Sequence, residues 1–154
     1  QKGEGFSLMY KPGQGYGRGS NHSVLENMMV AAIAYALSGK DYYLEGVRES
    51  MDYILGRNAM GISYVTGYGT LFSHRQFALM FAHSVDPSLP APPRGALAGG
   101  PNGQPADPVA EEKLQGCAPQ ACYIDEWGSY STNEIAINWN APLAWIASFL
   151  ADAR

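Results

Sequence analysis

The chain has 154 residues, which is enough for one domain with a sizeable hydrophobic core. A formal net charge of −4 with 16% charged residues argues against a nucleic-acid partner, which would call for a basic surface. No apolar run reaches the roughly 20 residues that a membrane-spanning helix requires, so we expect no membrane partner. The first residues lack the layout of a signal peptide, so the signal of an exported protein would lie outside this sequence.

Two helices are predicted in the first third of the chain. Apolar residues recur at helical spacing over 23–37 and again over 41–55. Gly39 and Gly56 follow the two segments, and glycine is the residue that most often ends a helix. We therefore expect an antiparallel helical hairpin, which is the unit that an α/α barrel repeats.

A long irregular region is predicted over 58–128. Eight of the ten prolines interrupt it, and only 77–83 has the pattern of a helical turn. A segment of this length inside a compact domain is usually either functional or disordered, and we favour the functional interpretation.

The two cysteines, Cys117 and Cys122, lie in the sequence CAPQAC. Four intervening residues with a proline permit a short disulfide loop, which would fit an oxidising compartment and export from the cell. Two free thiols remain an alternative. A structural zinc site is a weaker one, because it would need two further ligands and none is adjacent.

A third helix is predicted over 132–153. Pro142 would remove a hydrogen bond from its interior, so we expect a kink or a new start at 140–142. At its beginning, Ser131 and Glu134 have the spacing of a capping box, in which the glutamate satisfies backbone donors. Glu134 could therefore cap a helix, and this role would not prevent it from reaching into a cleft.

The stretch 123–145 places the carboxylates Asp125 and Glu134 among aromatic rings and amides. Carboxylates can act as general acid and base on a glycosidic bond, and aromatic faces suit the flat apolar faces of sugar rings. The residues therefore point to carbohydrate chemistry, although Asp125 could also be a loop carboxylate that satisfies backbone donors.

Several motifs together resemble glycoside hydrolase family 9, the cellulases and related β-glucanases. The strongest match has fixed positions over 19 residues, and most of the chain from about residue 15 can be laid on the C-terminal part of such a catalytic domain. The matching stretches are DYILGRN at 52–58, SYVTGYG at 63–69, PPRGALAGGPN at 92–102 and YIDEWGSYSTNEIAINWNA at 123–141.

The resemblance implies an all-α fold of the (α/α)6-barrel type, of which residues 1–154 would be the C-terminal portion, with only its last few helices and long loops. It also implies hydrolysis of β-1,4-glucosidic bonds by an inverting acid/base mechanism, in which Glu134 is the general acid. Asp125 would be a second active-site or supporting carboxylate, Trp139 would line the adjacent sugar subsite, and Tyr130 would belong to the substrate-binding residues. The family's general base lies in an Asp-Ala-Gly-Asp motif that the chain does not contain, so we expect the chain by itself to be weakly active or inactive.

The chain departs from the family pattern at three positions. Arg18 stands where the family has an aromatic ring that stacks on sugar, and it could instead hydrogen-bond sugar hydroxyls. In the family's spacing, a substrate-contacting His-x-Arg pair falls on Phe77 and Leu79. His74 and Arg75 are retained as alternative substrate-binding residues, although they are adjacent and three residues early.

The expected partners are a β-glucan or cello-oligosaccharide and either the N-terminal remainder of the catalytic domain or a second copy of the chain. A degenerate, non-catalytic glycan-binding relative and a helical domain completed by self-association are the alternative functions. We expect a secreted protein without a cofactor. Calcium, which relatives often bind, has no Asp-rich ligand loop here, and Asp107 and Asp125 are the loop carboxylates that it would use.

Overall fold

Helices and long loops make up the computed structural model, which describes residue 6, residues 8–10 and residues 15–153. Within these residues there is no β-strand, and backbone pairing outside the helices is limited to isolated bridges. The helices are α1 (Ser20–Ser38), α2 (Asp41–Ile54), α3 (Pro108–Lys113), α4 (Tyr130–Asn133) and α5 (Ile137–Asp152), with short 3-10 segments at Leu79–Phe81 and Pro119–Ala121.

The predicted helical hairpin is confirmed as α1 and α2, which pack against each other. Helix α1 begins three residues earlier than predicted, directly after Gly19. It ends at Gly39, whose left-handed conformation (φ 65°) lets its N–H donate to the carbonyl of Tyr35 at 2.8 Å. Glycine has no side chain to oppose this conformation, so the position of Gly39 in the sequence marks the end of α1.

The hydrophobic core lies along α1, which contacts both α2 and α5. One face of α1 is fully buried, and the loop segment that carries Tyr64 and Leu97 closes the core from the side. The fully buried helical side chains of this core are Val24, Leu25, Met28 and Ala32 of α1, Val47 and Ile54 of α2, and Ile146 of α5.

The outer face of α1 is apolar and exposed. Val30, Ile33 and Leu37 are spaced by three and four residues, so they form one stripe along the helix. We call these three residues the outer stripe. An exposed apolar stripe on a helix is unusual for a free-standing domain and is typical of a surface that another element covers.

The prediction for the third helix is wrong about where it is interrupted. The chain leaves helical conformation at Glu134 (φ −72°, ψ 148°), and α5 then runs without interruption through Pro142. Pro142 lies in the second turn of α5, where it removes one intrahelical hydrogen bond without ending the helix. The interruption lies upstream because the backbone on both sides of Glu134 is bonded to Phe77.

The predicted capping box does not form. The N–H and the hydroxyl of Ser131 both donate to Asp107 Oδ2, and the Glu134 side chain turns away from the helix. Asp107 also accepts from the N–H of Ala110 at 2.7 Å and so caps α3. Helix α3 lies in the region predicted to be irregular apart from 77–83, so that prediction is wrong at Pro108–Lys113; Asp107 followed by Pro108 is a recognisable helix start and was the available signal.

The long loop region is ordered in the structure. Its predicted helical turn at 77–83 is present as Leu79–Phe81, and Cys117 and Cys122 are joined in a disulfide with a Cα–Cα distance of 5.3 Å. Ser73, Gln76 and Asn102 are buried within this region. In the described part of the chain, no helix is both long and apolar enough to cross a membrane.

Replacing Ile146 with alanine tests the position of the core. Because Ile146 is fully buried between α5 and α1, Ile146→Ala should lower the free energy of unfolding by about 2–5 kcal/mol. Ile137→Ala in the same helix is the matched control, since Ile137 is 91% exposed, and it should change stability by less than about 0.5 kcal/mol. Urea denaturation measures both, and equal effects would contradict the assignment of the core.

Candidate functional site

Glu134 lies in a short extended link between α4 and α5, beside Phe77. The N–H of Phe77 donates to the carbonyl of Asn133 at 2.8 Å, and the N–H of Ile135 donates to the carbonyl of Phe77 at 3.0 Å. These two bonds hold the backbone on either side of Glu134 and leave its side chain free to project. The side chain is 24% exposed.

Arg18 forms an ion pair with Glu134. Its Nη2 lies 2.5 Å from Oε2 of Glu134, and its Cζ lies 5.9 Å from the centre of the Tyr130 ring. The Tyr130 hydroxyl donates to the carbonyl of Ala106 at 3.0 Å, which fixes the ring. Arg18, Tyr130 and Glu134, which the sequence proposes for the site, therefore lie together, and we call them the Glu134 cluster.

Trp139 packs against two glycines beside this cluster. A Cβ atom on Gly19 would lie 2.8 Å from Cε2 of Trp139, and a Cβ atom on Gly99 would lie 2.9 Å from its Cζ3. The indole is half-buried by these contacts. Only residues without a side chain let the backbone approach the ring this closely.

The segment 97–102 ties the elements of the site to one another. The N–H of Asn21 in α1 donates to the carbonyl of Gly99 at 3.0 Å, and the N–H of Gly100 donates to the carbonyl of Thr132 in α4 at 2.8 Å. The N–H of Leu97 donates to Oδ1 of Asn140 in α5 at 2.8 Å. The segment therefore fixes the start of α1, α4 and α5 relative to each other.

Asp125 lies in a second group of residues. Its carboxylate accepts from the N–H of His74 at 3.0 Å and from the N–H of Arg75 at 3.0 Å. Nδ1 of His74 and Nδ2 of Asn133 lie 3.0 and 3.1 Å from it. We call Asp125, His74, Arg75 and Asn133 the Asp125 cluster, in which the carboxylate holds the loop at 74–75.

Tyr123 anchors the Asp125 cluster from inside the core. Its hydroxyl donates to Oδ1 of Asn133 at 2.5 Å and lies 2.6 Å from the Ser73 hydroxyl. Burial raises the pKa of Tyr123 well above its ordinary value, and the charge of Asp125 raises this pKa further, whereas the Ser73 hydrogen bond opposes the shift. Tyr123 is therefore a protonated donor at neutral pH and fixes the orientation of the Asn133 amide.

A cleft of about 570 Å³ opens next to the Asp125 cluster, lined in part by His74, Arg75, His83 and Trp127. The Phe77 ring lies between this cleft and the Glu134 cluster, 4.8 Å from the Trp127 ring and 5.7 Å from the Tyr130 ring, measured between centres. A row of aromatic rings thus connects the two clusters.

The structure brings the substrate-binding and catalytic residues that the sequence proposes into these two clusters, with Trp139 beside the first, and adds residues that the sequence analysis missed. Phe77 contacts the backbone of Glu134, and Leu79 is 76% exposed, so neither supplies a polar group to Glu134. Asn133 and Gly99 were missed. The spacing of Asn133, immediately before the glutamate, and the Gly99-Gly100 pair were the available signals.

No group of three or more His, Cys, Asp or Glu side chains in the described residues is arranged to hold a metal ion. The two loop carboxylates considered for calcium, Asp107 and Asp125, both accept hydrogen bonds from backbone N–H groups of the protein.

Removing the Asp125 carboxylate should release the loop that it holds. Asp125→Ala leaves the N–H groups of His74 and Arg75 without their acceptor, so their amide hydrogens should exchange with solvent about tenfold faster. Asp152→Ala, an exposed carboxylate at the end of α5, is the control and should leave these two rates unchanged. Native-state hydrogen exchange followed by NMR measures the rates, and protected amides in Asp125→Ala would contradict this role.

Adding one methyl group at Gly99 should disturb Trp139. In Gly99→Ala the new Cβ would lie 2.9 Å from the indole and 3.1 Å from the carbonyl of Thr132, so the free energy of unfolding should fall by about 1–3 kcal/mol. Gly17→Ala is the control because no atom lies within 4 Å of its Cβ position. Urea denaturation followed by tryptophan fluorescence checks both, and a neutral Gly99→Ala would contradict the close packing.

The chain is similar to known glycosidases along nearly its whole length. It is 49% identical over 156 residues to endoglucanase C of Cellulomonas fimi and 41% identical over 152 residues to a cellulose 1,4-beta-cellobiosidase of Acetivibrio thermocellus. These alignments cover 99% and 96% of this chain but only 14% and 17% of the relatives. The chain thus spans about a sixth or less of these two relatives.

A solved structure has the same fold. AaCel9A, determined in complex with cellobiose-like isofagomine, superposes with a TM-score of 0.79 at 31% identity, over 89% of this chain and 26% of that one. The predicted all-α class is confirmed, and the chain is one part of an (α/α)6 barrel. A sequence profile of glycosyl hydrolase family 9 matches residues 3–147. The chain is therefore a fragment of a catalytic domain and belongs to glycosyl hydrolase family 9.

Proposed function

We propose that the chain is the C-terminal portion, residues 1–154, of a single catalytic domain that hydrolyses β-1,4-glucosidic bonds in cellulose or a related β-glucan. The observation that carries the proposal is the partly exposed Glu134 carboxylate, which projects from the link between α4 and α5 and pairs with Arg18, whose guanidinium lies over the Tyr130 ring. A partly exposed carboxylate with aromatic neighbours suits a sugar polymer, because the rings offer apolar faces and the carboxylate can exchange a proton.

In the proposed reaction, Glu134 is the general acid of an inverting mechanism. It donates its proton to the glycosidic oxygen as the bond to the leaving sugar breaks. A water activated by a carboxylate base attacks the opposite face of the ring, and in inverting enzymes the two carboxyl groups stand about 6.5–9.5 Å apart. The base belongs to the part of the catalytic domain outside this chain.

Asp125 has a supporting role in this proposal. Its carboxylate accepts two backbone N–H groups and the Asn133 amide, and Asn133 precedes Glu134 directly. Asp125 therefore orients the loop and the link from which Glu134 projects. A carboxylate occupied in this way is poorly suited to activate a water molecule.

The remainder of the catalytic domain is the proposed partner of the outer stripe. Val30, Ile33 and Leu37 are exposed on α1, and the chain covers about a quarter of a solved relative. Burial of such a stripe contributes to stability in proportion to its apolar area. The disulfide between Cys117 and Cys122 supports a secreted, extracellular enzyme, since disulfides persist in oxidising compartments.

A second candidate function is glycan binding without hydrolysis. It is favoured by Phe77 and Leu79, which are apolar where the family resemblance places a substrate-contacting histidine and arginine, and by Arg18 in place of an aromatic ring. The residues at 77 and 79 remove two polar contacts to sugar and Arg18 removes a stacking ring, but the Glu134 carboxylate is present. The two candidates differ in whether a complete domain releases reducing sugar.

The catalytic role of Glu134 is tested in a complete domain that contains this chain. Glu134→Gln should lower kcat on cello-oligosaccharides by about 10²–10⁴-fold, the usual contribution of a general acid, while KM changes little. Asp152→Ala is the control, because this carboxylate is exposed at the far end of α5.

The 154-residue chain alone should release no reducing sugar. Release by the chain that Glu134→Gln abolishes would contradict the placement of the base outside it. A complete domain that binds cellotetraose without hydrolysing it would favour the binding function, and equal kcat values for the parent and Glu134→Gln would exclude Glu134 as the acid.

A further inference from the structure

Arg18 forms an ion pair with the Glu134 carboxylate, on which the proposed function depends. We propose that Arg18 is a positioning residue that holds the Glu134 carboxylate in an ion pair, and that a glucan has to displace its guanidinium before Glu134 can reach a glycosidic oxygen. This inference rests on the function proposed for Glu134. It differs from a direct role of Arg18 in binding sugar hydroxyls.

The contact is direct and local. Nη2 of Arg18 lies 2.5 Å from Oε2 of Glu134, and within the described residues no second side chain donates a hydrogen bond to this carboxylate. A sugar oxygen and a guanidinium cannot both occupy the hydrogen-bonding direction of the same carboxylate oxygen. Access to Glu134 from this side therefore requires Arg18 to move.

The side chain of Arg18 can move while its backbone stays in place. The N–H of Ser20 donates to the carbonyl of Gly17 at 3.1 Å, and the N–H of His22 donates to the carbonyl of Gly19 at 2.9 Å, so the turn at 17–19 is fixed to the start of α1. The Arg18 side chain itself is 50% exposed. Displacement is thus a rotation of an exposed side chain and needs no change in the fold.

Tyr130 offers the displaced guanidinium a second partner. Its ring centre is already 5.9 Å from Cζ of Arg18, within the range in which an arginine interacts with an aromatic face. A small rotation can exchange the carboxylate for the ring face. In this proposal the side chain closes Glu134 in the position that the structure shows, and a rotated position that keeps the ring contact leaves Glu134 open.

The sign of the effect on binding distinguishes displacement from direct sugar contact. Exposed ion pairs are weak, so removing this one should tighten glucan binding by about two- to fivefold. If Arg18 donated to sugar hydroxyls, its removal would weaken binding. Arg18→Gln removes the charge and keeps a shorter, polar side chain.

The experiment uses isothermal titration calorimetry to compare the binding of thio-linked, non-hydrolysable cellotetraose to four forms of a complete domain that contains this chain: the parent, Arg18→Gln, Glu134→Gln and the double variant. Arg18→Gln should bind about two- to fivefold more tightly than the parent. In the Glu134→Gln background the same substitution should have no effect, because the pair is already broken. Arg18→Lys keeps the charge and should stay close to the parent, and thermal unfolding verifies that every variant is folded.

Weaker or unchanged binding by Arg18→Gln would overturn the proposal. Equal tightening in both backgrounds would also overturn it, because the effect would then not pass through Glu134. Absence of binding in all four proteins would instead overturn the proposed glucan function. A second measurement then tests whether the ion pair between Arg18 and Glu134 exists.

That measurement is NMR of the Arg18 guanidinium, which needs no ligand to report on the pair. Rotation about its Cζ–Nη bonds should be slow in the parent and fast in Glu134→Gln, and saturating cellotetraose should make the parent resemble Glu134→Gln. Identical spectra of the two proteins without ligand would overturn the ion pair. A guanidinium that stays restricted at saturating cellotetraose would overturn its displacement.

Discussion

The close approach at Gly99 and Gly100 is the constraint on which the site depends. A Cβ atom on Gly100, whose φ is +96°, would lie 2.4 Å from Cγ of Asn21, and one on Gly99 would collide with Trp139. Because side chains are absent, the backbone there can bond to α1 through Asn21 and to α4 through Thr132. The start of α1, which follows the turn that carries Arg18, is thereby fixed to the link that carries Glu134, and Arg18 and Glu134 are 116 residues apart in sequence.

The two carboxylates of the segment 123–145 have different surroundings and different tasks. Asp125 accepts hydrogen bonds from a loop and from Asn133, whereas Glu134 meets a single guanidinium at the surface. Their shared stretch of sequence first suggests an acid and a base acting as a pair. The structure separates them into a carboxylate that holds backbone N–H groups and one that pairs with an arginine side chain.

The sequence predicts those features that depend on the local spacing of apolar residues and on single residues with special backbone preferences, such as glycine. The hairpin of α1 and α2 was predictable from apolar spacing and from Gly39, and comparison with the family motifs named the residues of both clusters except Asn133. The interruption before α5 was not, because it is set by hydrogen bonds from Phe77, 57 residues earlier in the chain than Glu134. The absence of the capping box at Ser131 was also not predictable, because Ser131 donates to the distant Asp107. Long-range contacts of this kind leave no periodic signal.

Phe77 holds the backbone around Glu134, so the residue type at 77 could in principle affect the position of the proposed general acid. Phe77 acts on the link through its own N–H and carbonyl, so its contribution does not depend on the type of side chain. An apolar ring at 77 therefore removes a possible polar contact to sugar without moving Glu134. Arg18 acts in the opposite way, since its backbone belongs to a fixed turn and its side chain alone reaches the carboxylate. Under the proposed function, the backbone that presents Glu134 and the side chains that would meet the sugar are therefore different parts of the chain, and the residue types at 18, 77 and 79 bear on sugar contacts and leave the backbone bonds around Glu134 in place.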